Sequence, residues 1–294
     1  IIDIIVEVEN PKNLILLKQL CFFHPYTAYY AYCYGKTNGI LIQFRIPKTT
    51  GKFIHELFTR LVELKFLKSF EYLFFPSPQL YTTTDVHFWN EQTYSWDFDW
   101  KSWFEGIEIN ANFEDFDQLS FDNKGAKSFS VYNPNFEIPI KNWLTRKDLL
   151  ILHELYENSR RKNKEIKKIL TEKGYSMSPQ TFSRRLKRIM EKCVEGYRVS
   201  LDPKCTNVLS WLFLWGEGKP DIIQKLREKI GKNPIPFSST FKTKENHIFW
   251  FIQIPPHDVG YFLTKLRYIL FSINTYIVDT SNVKIYHPWD EAYN

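Results

Sequence analysis

Ser178-Pro179-Gln180-Thr181-Phe182-Ser183-Arg184-Arg185-Leu186-Lys187-Arg188-Ile189 is the stretch on which the reading of this chain turns. Serine suits a helix N-cap because its hydroxyl accepts from an orphan backbone N–H, and proline suits the first helical position because no N–H is needed there. Phe182, Leu186 and Ile189 then recur at i, i+4 and i+7, which gathers them into one apolar stripe. Gln180, Thr181, Ser183, Arg184, Lys187 and Arg188 are left on outward or flanking positions. Upstream, Thr145 with Asp148 three residues on has the form of a capping box opening a helix that runs to Glu157. A second helix starts after Asn163, turns Ile166, Ile169 and Leu170 inward and ends at Gly174. Three short helices with a cationic third one make a helix-turn-helix of the winged type, assigned to residues 143–204.

Charge supports that reading. From Trp143 to Lys204, 16 lysines and arginines face 8 acids, a larger excess than the +6 of the whole chain. A DNA duplex carries one phosphate charge per ~1.7 Å of axis, so a compact cationic module with such a helix is most simply a reader of double-stranded DNA. Gln180 and Thr181 sit early in the third helix, where base edges are met, with Ser178 and Ser183 beside them. Arg184, Arg185, Lys187 and Arg188 are candidate phosphate contacts, as are Arg160, Arg161 and Lys162 in the loop after the first helix.

Outside this segment the apolar period gives strand, helix, strand, strand, helix, strand twice over. The C-terminal copy, residues 205–294, reads Val208–Trp215, a helix Asp221–Ile230 closed by Gly231, strands Phe237–Lys242 and Ile248–Ile254, a helix Val259–Leu270, and a strand from Thr275 through Val278 to Tyr286. The N-terminal copy, residues 1–90, reads Ile1–Val8, a helix Pro11–Phe22 opened by Asn10 and Pro11, Tyr26–Tyr34, Ile40–Ile46, a helix Lys52–Leu64, and Phe70–Phe75. The two copies share sequence: Ile40-Leu41-Ile42-Gln43-Phe44-Arg45-Ile46-Pro47 lines up with Ile248-Phe249-Trp250-Phe251-Ile252-Gln253-Ile254-Pro255. Beyond them Gly51, Phe53, Leu57 and Leu61 match Gly260, Phe262, Leu266 and Leu270 with one residue of slippage. The expected fold is therefore α+β, with two ferredoxin-like βαββαβ domains flanking a winged-type helix-turn-helix.

Residues 91–142 form an acidic, aromatic connecting arm. Ten acids oppose Lys101 alone between Asp85 and Asp122. Trp96, Trp100 and Trp103 recur at helical spacing, so Asp97–Phe104 is expected to be a short helix pressed onto a domain, with Phe121–Pro139 a loop or irregular hairpin.

Several classes are excluded or disfavoured. A chain of 294 residues with 44% hydrophobic and 17% aromatic content has material for packed cores and is not a disordered protein. Cys21, Cys33, Cys193 and Cys205 form no CxxC pair and are expected as buried free thiols of a reducing cytoplasm. The seven histidines have no metal spacing. No run of 18 apolar residues and no signal peptide is present, so a cytoplasmic protein without a membrane partner is expected. No nucleophile elbow, phosphate-cradling glycine loop or spaced carboxylate pair is found; neither enzymatic activity nor a cofactor is expected.

The string Asp148-Leu149-Leu150-Ile151-Leu152-His153-Glu154-Leu155-Tyr156-Glu157-Asn158-Ser159-Arg160, the Ser178–Arg188 helix, and Gly196-Tyr197-Arg198-Val199-Ser200-Leu201-Asp202-Pro203 together resemble the leucine-responsive regulator/AsnC (feast/famine) family. That resemblance covers roughly residues 143–290. It implies a transcription regulator with a βαββαβ domain for a small-molecule effector and for oligomerisation. With a second such domain at 1–90, it implies a tandem form whose own first DNA-binding domain lies upstream or is absent. The two domains then pair within one chain as a pseudo-dimer, or each pairs with its twin in a homodimer. Two other readings stand beside it. One is a sensor without DNA binding, its basic helix masked by the acidic arm. The other is an enzyme on the same fold combination, as in the siroheme decarboxylases that act on a tetrapyrrole, for which Arg45, His24 and His55 are the candidates.

Overall fold

The computed structural model describes residues 1–47, 50–75, 79–107, 143–194, 196, 202–287 and 289–290. The expected loop or hairpin at Phe121–Pro139 lies outside them, as do residues 197–201, where a wing would follow the third helix. The chain divides into two compact units, one of Ile1–Asn133 with Ser200–Ile285 and one of Pro134–Val199 with Tyr286–Asn294.

The first unit begins with β1 (Ile2–Val8), α1 (Lys12–Phe23), β2 (Thr27–Gly35), β3 (Gly39–Phe44), α2 (Gly51–Glu63) and β4 (Leu67–Leu73). An arm follows: β5 (Leu80–Thr82), β6 (Trp89–Asn90), β7 (Ser95–Trp96) and α3 (Trp100–Phe104). The second unit supplies α4 (Arg146–Glu157), α5 (Asn163–Glu172) and α6 (Pro179–Lys192). The chain then returns to the first unit with β8 (Ser210–Gly218), α7 (Pro220–Lys232), β9 (Ser239–Lys244), β10 (His247–Ile254), α8 (Val259–Ile269) and β11 (Leu270–Ile285).

All strand pairings among the described residues are antiparallel, and the main sheet runs β4-β1-β3-β2-β11-β8-β10-β9-β5. Each β-α-β-β-α-β half thus has the spatial order fourth, first, third, second. The halves meet at β11, whose first part pairs with β8 and whose second part pairs with β2. Backbones approach closely on both sides of β11, which requires residues without a Cβ: at the seam with β2 one at Gly35 would meet the Thr275 carbonyl oxygen at 2.1 Å, and on the β8 side one at Gly216 would meet the Ser272 oxygen at 2.4 Å. Midway, the pairing of β11 with β2 shifts register between Asp279 and Val283, where Asp279 accepts from the Ser281 N–H and the Asn282 amide.

Alternation sorts each strand between two cores. One face of each half lies against its helices. The other faces form a shared core that includes Ile5, Ala31, Leu41, Phe213, Phe249 and Tyr276. Inside this shared region Lys242 Nζ lies 2.5 Å from Asp3 Oδ2, both side chains nearly inaccessible, and Gln43 donates to the other Asp3 oxygen at 2.8 Å. The Phe249 ring lies 4.5 Å from the same ammonium. A charge so buried is stable only when paired and hydrogen-bonded, and this one is both.

The structure departs from the sequence expectations at several points. Trp96 belongs to β7, not to a helix with Trp100 and Trp103, because the helix starts only where Asp99 caps it by accepting from the Lys101 and Ser102 N–H groups. Gly231 lies inside α7 and does not end it; the helix continues to Lys232, and the Asn233 N–H bonds the Lys229 carbonyl. Leu270 opens β11 and does not close α8. Without slippage, Gly51 and Val259 both start their helices, and buried Ile54 and Phe58 take the places of buried Phe262 and Leu266. Pairing Phe53 with Phe262 would match a residue 56% exposed with one fully buried. Cys21 and Cys33 are buried, and burial pushes both thiols up to about 12; Cys205, however, is exposed and Cys193 half-buried. Among the described residues no three His, Cys, Asp or Glu side chains gather as a metal site, and no helix is long and apolar enough to cross a membrane.

Candidate nucleic-acid interface

The second unit is built around Leu150, Ile151, Leu155, Ile166, Leu170, Phe182 and Ile189, with Trp143, Leu186 and Met190 packed against them. Each helix contributes the stripe that its period places inward. At the start of α4 the Asp148 carboxylate accepts from the Thr145 N–H at 2.8 Å and from its hydroxyl at 2.6 Å. Between α5 and α6 the chain turns at Gly174 with φ +83°, a left-handed conformation that favours glycine. Ser178 caps α6 by accepting from the Thr181 N–H, with Pro179 at the first position.

The eleven residues expected at the interface fall into three groups. Gln180, Ser183, Arg184, Lys187 and Arg188 are exposed along one side of α6, and Arg160 and Lys162 are exposed in the turn before α5. Ser178 and Thr181 are engaged with one another in the cap, the Ser178 hydroxyl lying 3.0 Å from that of Thr181. Arg185 and Arg161 instead turn toward buried acids. Arg185 Nη1 sits 2.8 Å from both oxygens of Asp148 and 3.0 Å from the Thr145 hydroxyl, tying α6 to the start of α4. Arg161 pairs with Glu154, which also holds Lys173 at 3.3 Å. Asp148 and Glu154 are 1% and 3% exposed, so these cations compensate buried charge and fasten the helices.

Arg188 lies over the Trp143 ring at 4.4 Å, which steadies its stem while its exposure is kept. Lys187 makes a loose exposed contact with Glu191, 3.9 Å away.

The structure also brings forward cations beyond those eleven; Lys164, which the sequence places with Arg160, Arg161 and Lys162 in a loop near phosphates, lies instead on α5. Lys164, Lys167 and Lys168 on α5 line a concavity of about 640 Å³ together with Thr171, Pro179 and Ser183. Their spacing at i, i+3 and i+4, opposite the inward Ile166 and Leu170, was the available signal. Tyr286, His287 and Trp289 belong to this unit as well: the Tyr156 ring lies 4.7 Å from His287 and 5.2 Å from Trp289. Of the three candidates for a tetrapyrrole site, His24 lines a small groove in the first unit, His55 packs on Phe70 and Tyr72 at 5.4 Å, and Arg45 is exposed.

Among solved structures the chain is similar to transcriptional regulators of the AsnC type. Escherichia coli AsnC matches at 18% identity and a TM-score of 0.35, over 49% of this chain and 94% of that one. A Pyrococcus furiosus regulator of the AsnC family matches at 18% and 0.37, over 51% and 96%. A Neisseria meningitidis transcriptional regulator solved with L-Met matches at 20% and 0.37, over 47% and 91%. No protein-family model and no curated protein matches the chain.

Proposed function

We propose that this protein is a DNA-binding transcription regulator in which two ferredoxin-like domains flank a helix-turn-helix. In this reading residues 1–90 and 205–294 are the two βαββαβ domains, 91–142 the connecting arm and 143–204 the DNA reader. The observation that carries it is the split among the cations of α6. Arg185 turns inward to a buried carboxylate, while Arg184, Lys187 and Arg188 stand exposed beside Gln180 and Ser183. A helix held in place by one arginine and presenting three other cations with short polar side chains suits phosphate contacts around base-edge contacts. Lys164, Lys167 and Lys168 extend the same cationic surface along α5 and add phosphate contacts. The two ferredoxin-like domains act as an intramolecular pseudo-dimer, an arrangement favoured by their shared sheet and by the raised effective concentration of linked partners. A small-molecule effector is the expected second ligand.

The test is fluorescence anisotropy with duplex DNA across a salt series, comparing the wild type with the Arg184→Ala/Arg188→Ala double variant. Affinity should fall steeply with salt, and the log–log slope should shrink by about 2 when two phosphate contacts are removed. A folded protein that binds no duplex even at low salt would sink this reading. Arg185→Ala should instead act on folding: it leaves Asp148 buried without its partner, so its loss appears in the melt.

A further inference from the structure

The helix faces of the two halves differ in chemistry at matching positions. When buried Leu17 and Cys21 of α1 are set against buried Leu226 and Ile230 of α7, Ile15, Leu16, Phe22 and Phe23 fall where α7 has Gln224, Lys225, Gly231 and Lys232. These four α1 residues are 50–77% exposed. The neighbouring groove differs too. In the second half Trp100 fills it, 5.0 Å from Phe262 and stacked on Phe237 at 5.8 Å. Trp103 continues the contact by donating to the Asn233 carbonyl at the end of α7, at 2.8 Å.

In the first half the same place, marked by Ile46 opposite Ile254 and Ile54 opposite Phe262, is an open groove of about 180 Å³. Its walls are His24, Tyr26, Ile46, Phe53, Ile54 and Leu57. Exposed Arg45 and Lys52 adjoin Ile46 and Phe53 in the chain, and Lys52 Nζ lies 5.0 Å from the Phe53 ring centroid.

We propose that this groove docks an acidic, tryptophan-bearing segment of a partner protein, with an indole seated against Ile54 as Trp100 is seated against Phe262. The segment that closes the second half has that chemistry, carrying Asp97, Asp99 and Glu105 among its tryptophans. Arg45 and Lys52 at the open groove complement such acids. A second copy of this chain is the poorer occupant, because its own Trp96, Trp100 and Trp103 are already committed to a core and only 4–6% exposed. A large aromatic anchor in a preformed pocket is how short segments gain most of their affinity.

The experiment uses a fluorescein-labelled peptide of residues 95–107, the same peptide with Trp100→Ala and Trp103→Ala, and the full chain. Saturable binding is expected. It should weaken by about tenfold or more with the doubly substituted peptide, and likewise in Phe53→Asp and Tyr26→Asp proteins. Both positions are well exposed, and an unchanged melt shows that these variants fold. Absence of saturable binding overturns the proposal. So does binding undiminished in both variants, which would put the peptide on the second half in exchange with Trp100. Self-association of the free chain that disappears in Phe53→Asp would assign the groove to a second copy and overturn the partner assignment.

Discussion

In the second half of the large unit the outer helix face is closed by Trp100, Trp103 and Phe104, whereas among the described residues nothing closes the matching face of the first half, where Phe22, Phe23 and Phe53 are exposed. Both halves nevertheless have the same strand order and the same alternation along their third strands: Ile40, Leu41, Ile42 and Phe44 are buried like Ile248, Phe249, Trp250 and Ile252, and Gln43 and Phe251 are half-buried. Strand order therefore follows from the inner packing of sheet on helix, while the covering of the outer face is a separate matter. The second half uses its cover as core; among the described residues the first half has none.

Three perturbations bear on this contrast. The largest effect is expected where the halves meet. Lys242→Met leaves Asp3 buried without its cation and should cost about 3–5 kcal/mol in urea unfolding. Adding Asp3→Leu should recover most of that loss. By position in the ladders, Asp3 corresponds to Phe213 and Lys242 to Ala31, so each half carries one member of the pair and neither is complementary to itself. A single-variant cost near zero would show that the halves do not depend on this contact.

The next effect compares the two outer faces directly. Trp103→Ala removes a 5%-exposed indole and its bond to the Asn233 carbonyl, and should cost about 3 kcal/mol. Phe53→Ala, at the open groove, should change stability by about 0.5 kcal/mol or less. Equal losses in the two melts would break the comparison, because the first-half face would then be core as well.

The smallest effect concerns His24, whose imidazole burial holds below its ordinary value. As pH falls under about 6.5 the unfolded chain takes up the proton first, so stability declines from there until the folded-state value is passed. Above that window His24 contributes no pH dependence. Because the ring is only half-buried, a few tenths of a kcal/mol is the expected scale. Melts at about pH 7.5 and about pH 5.5 should show a smaller drop for His24→Gln than for the wild type. An identical drop would mean that the groove leaves the ring hydrated.

Much of this organisation was legible in the sequence, and particular residues show why. Phe182 and Ile189 became the buried stripe of α6 because a helical period admits one inward face, and Ser178 and Pro179 fixed where that period begins. Gly174 marked the turn before it. The βαββαβ pattern emerged twice because period-2 and period-3.6 runs alternate cleanly between turn residues. The errors came where a local signal met a distant partner. Trp96, Trp100 and Trp103 share helical spacing, yet Trp96 is held in a two-stranded ribbon and donates its indole N–H to the Thr206 carbonyl, more than a hundred residues away in the chain. Arg185 has the same local signature as Arg184 and Arg188; only the fold brings Asp148 to it.

The sequence by itself determined the periodic elements, their caps and the concentration of cations in one module, because each depends on neighbours within a few positions along the chain. Only the folded arrangement settles which cations are committed to buried carboxylates, that Asp3 meets Lys242 across the shared core, and that tryptophans close one helix face while no described residue closes its counterpart. Those outcomes depend on desolvation and on groups brought together from distant positions, and no period in the sequence encodes them.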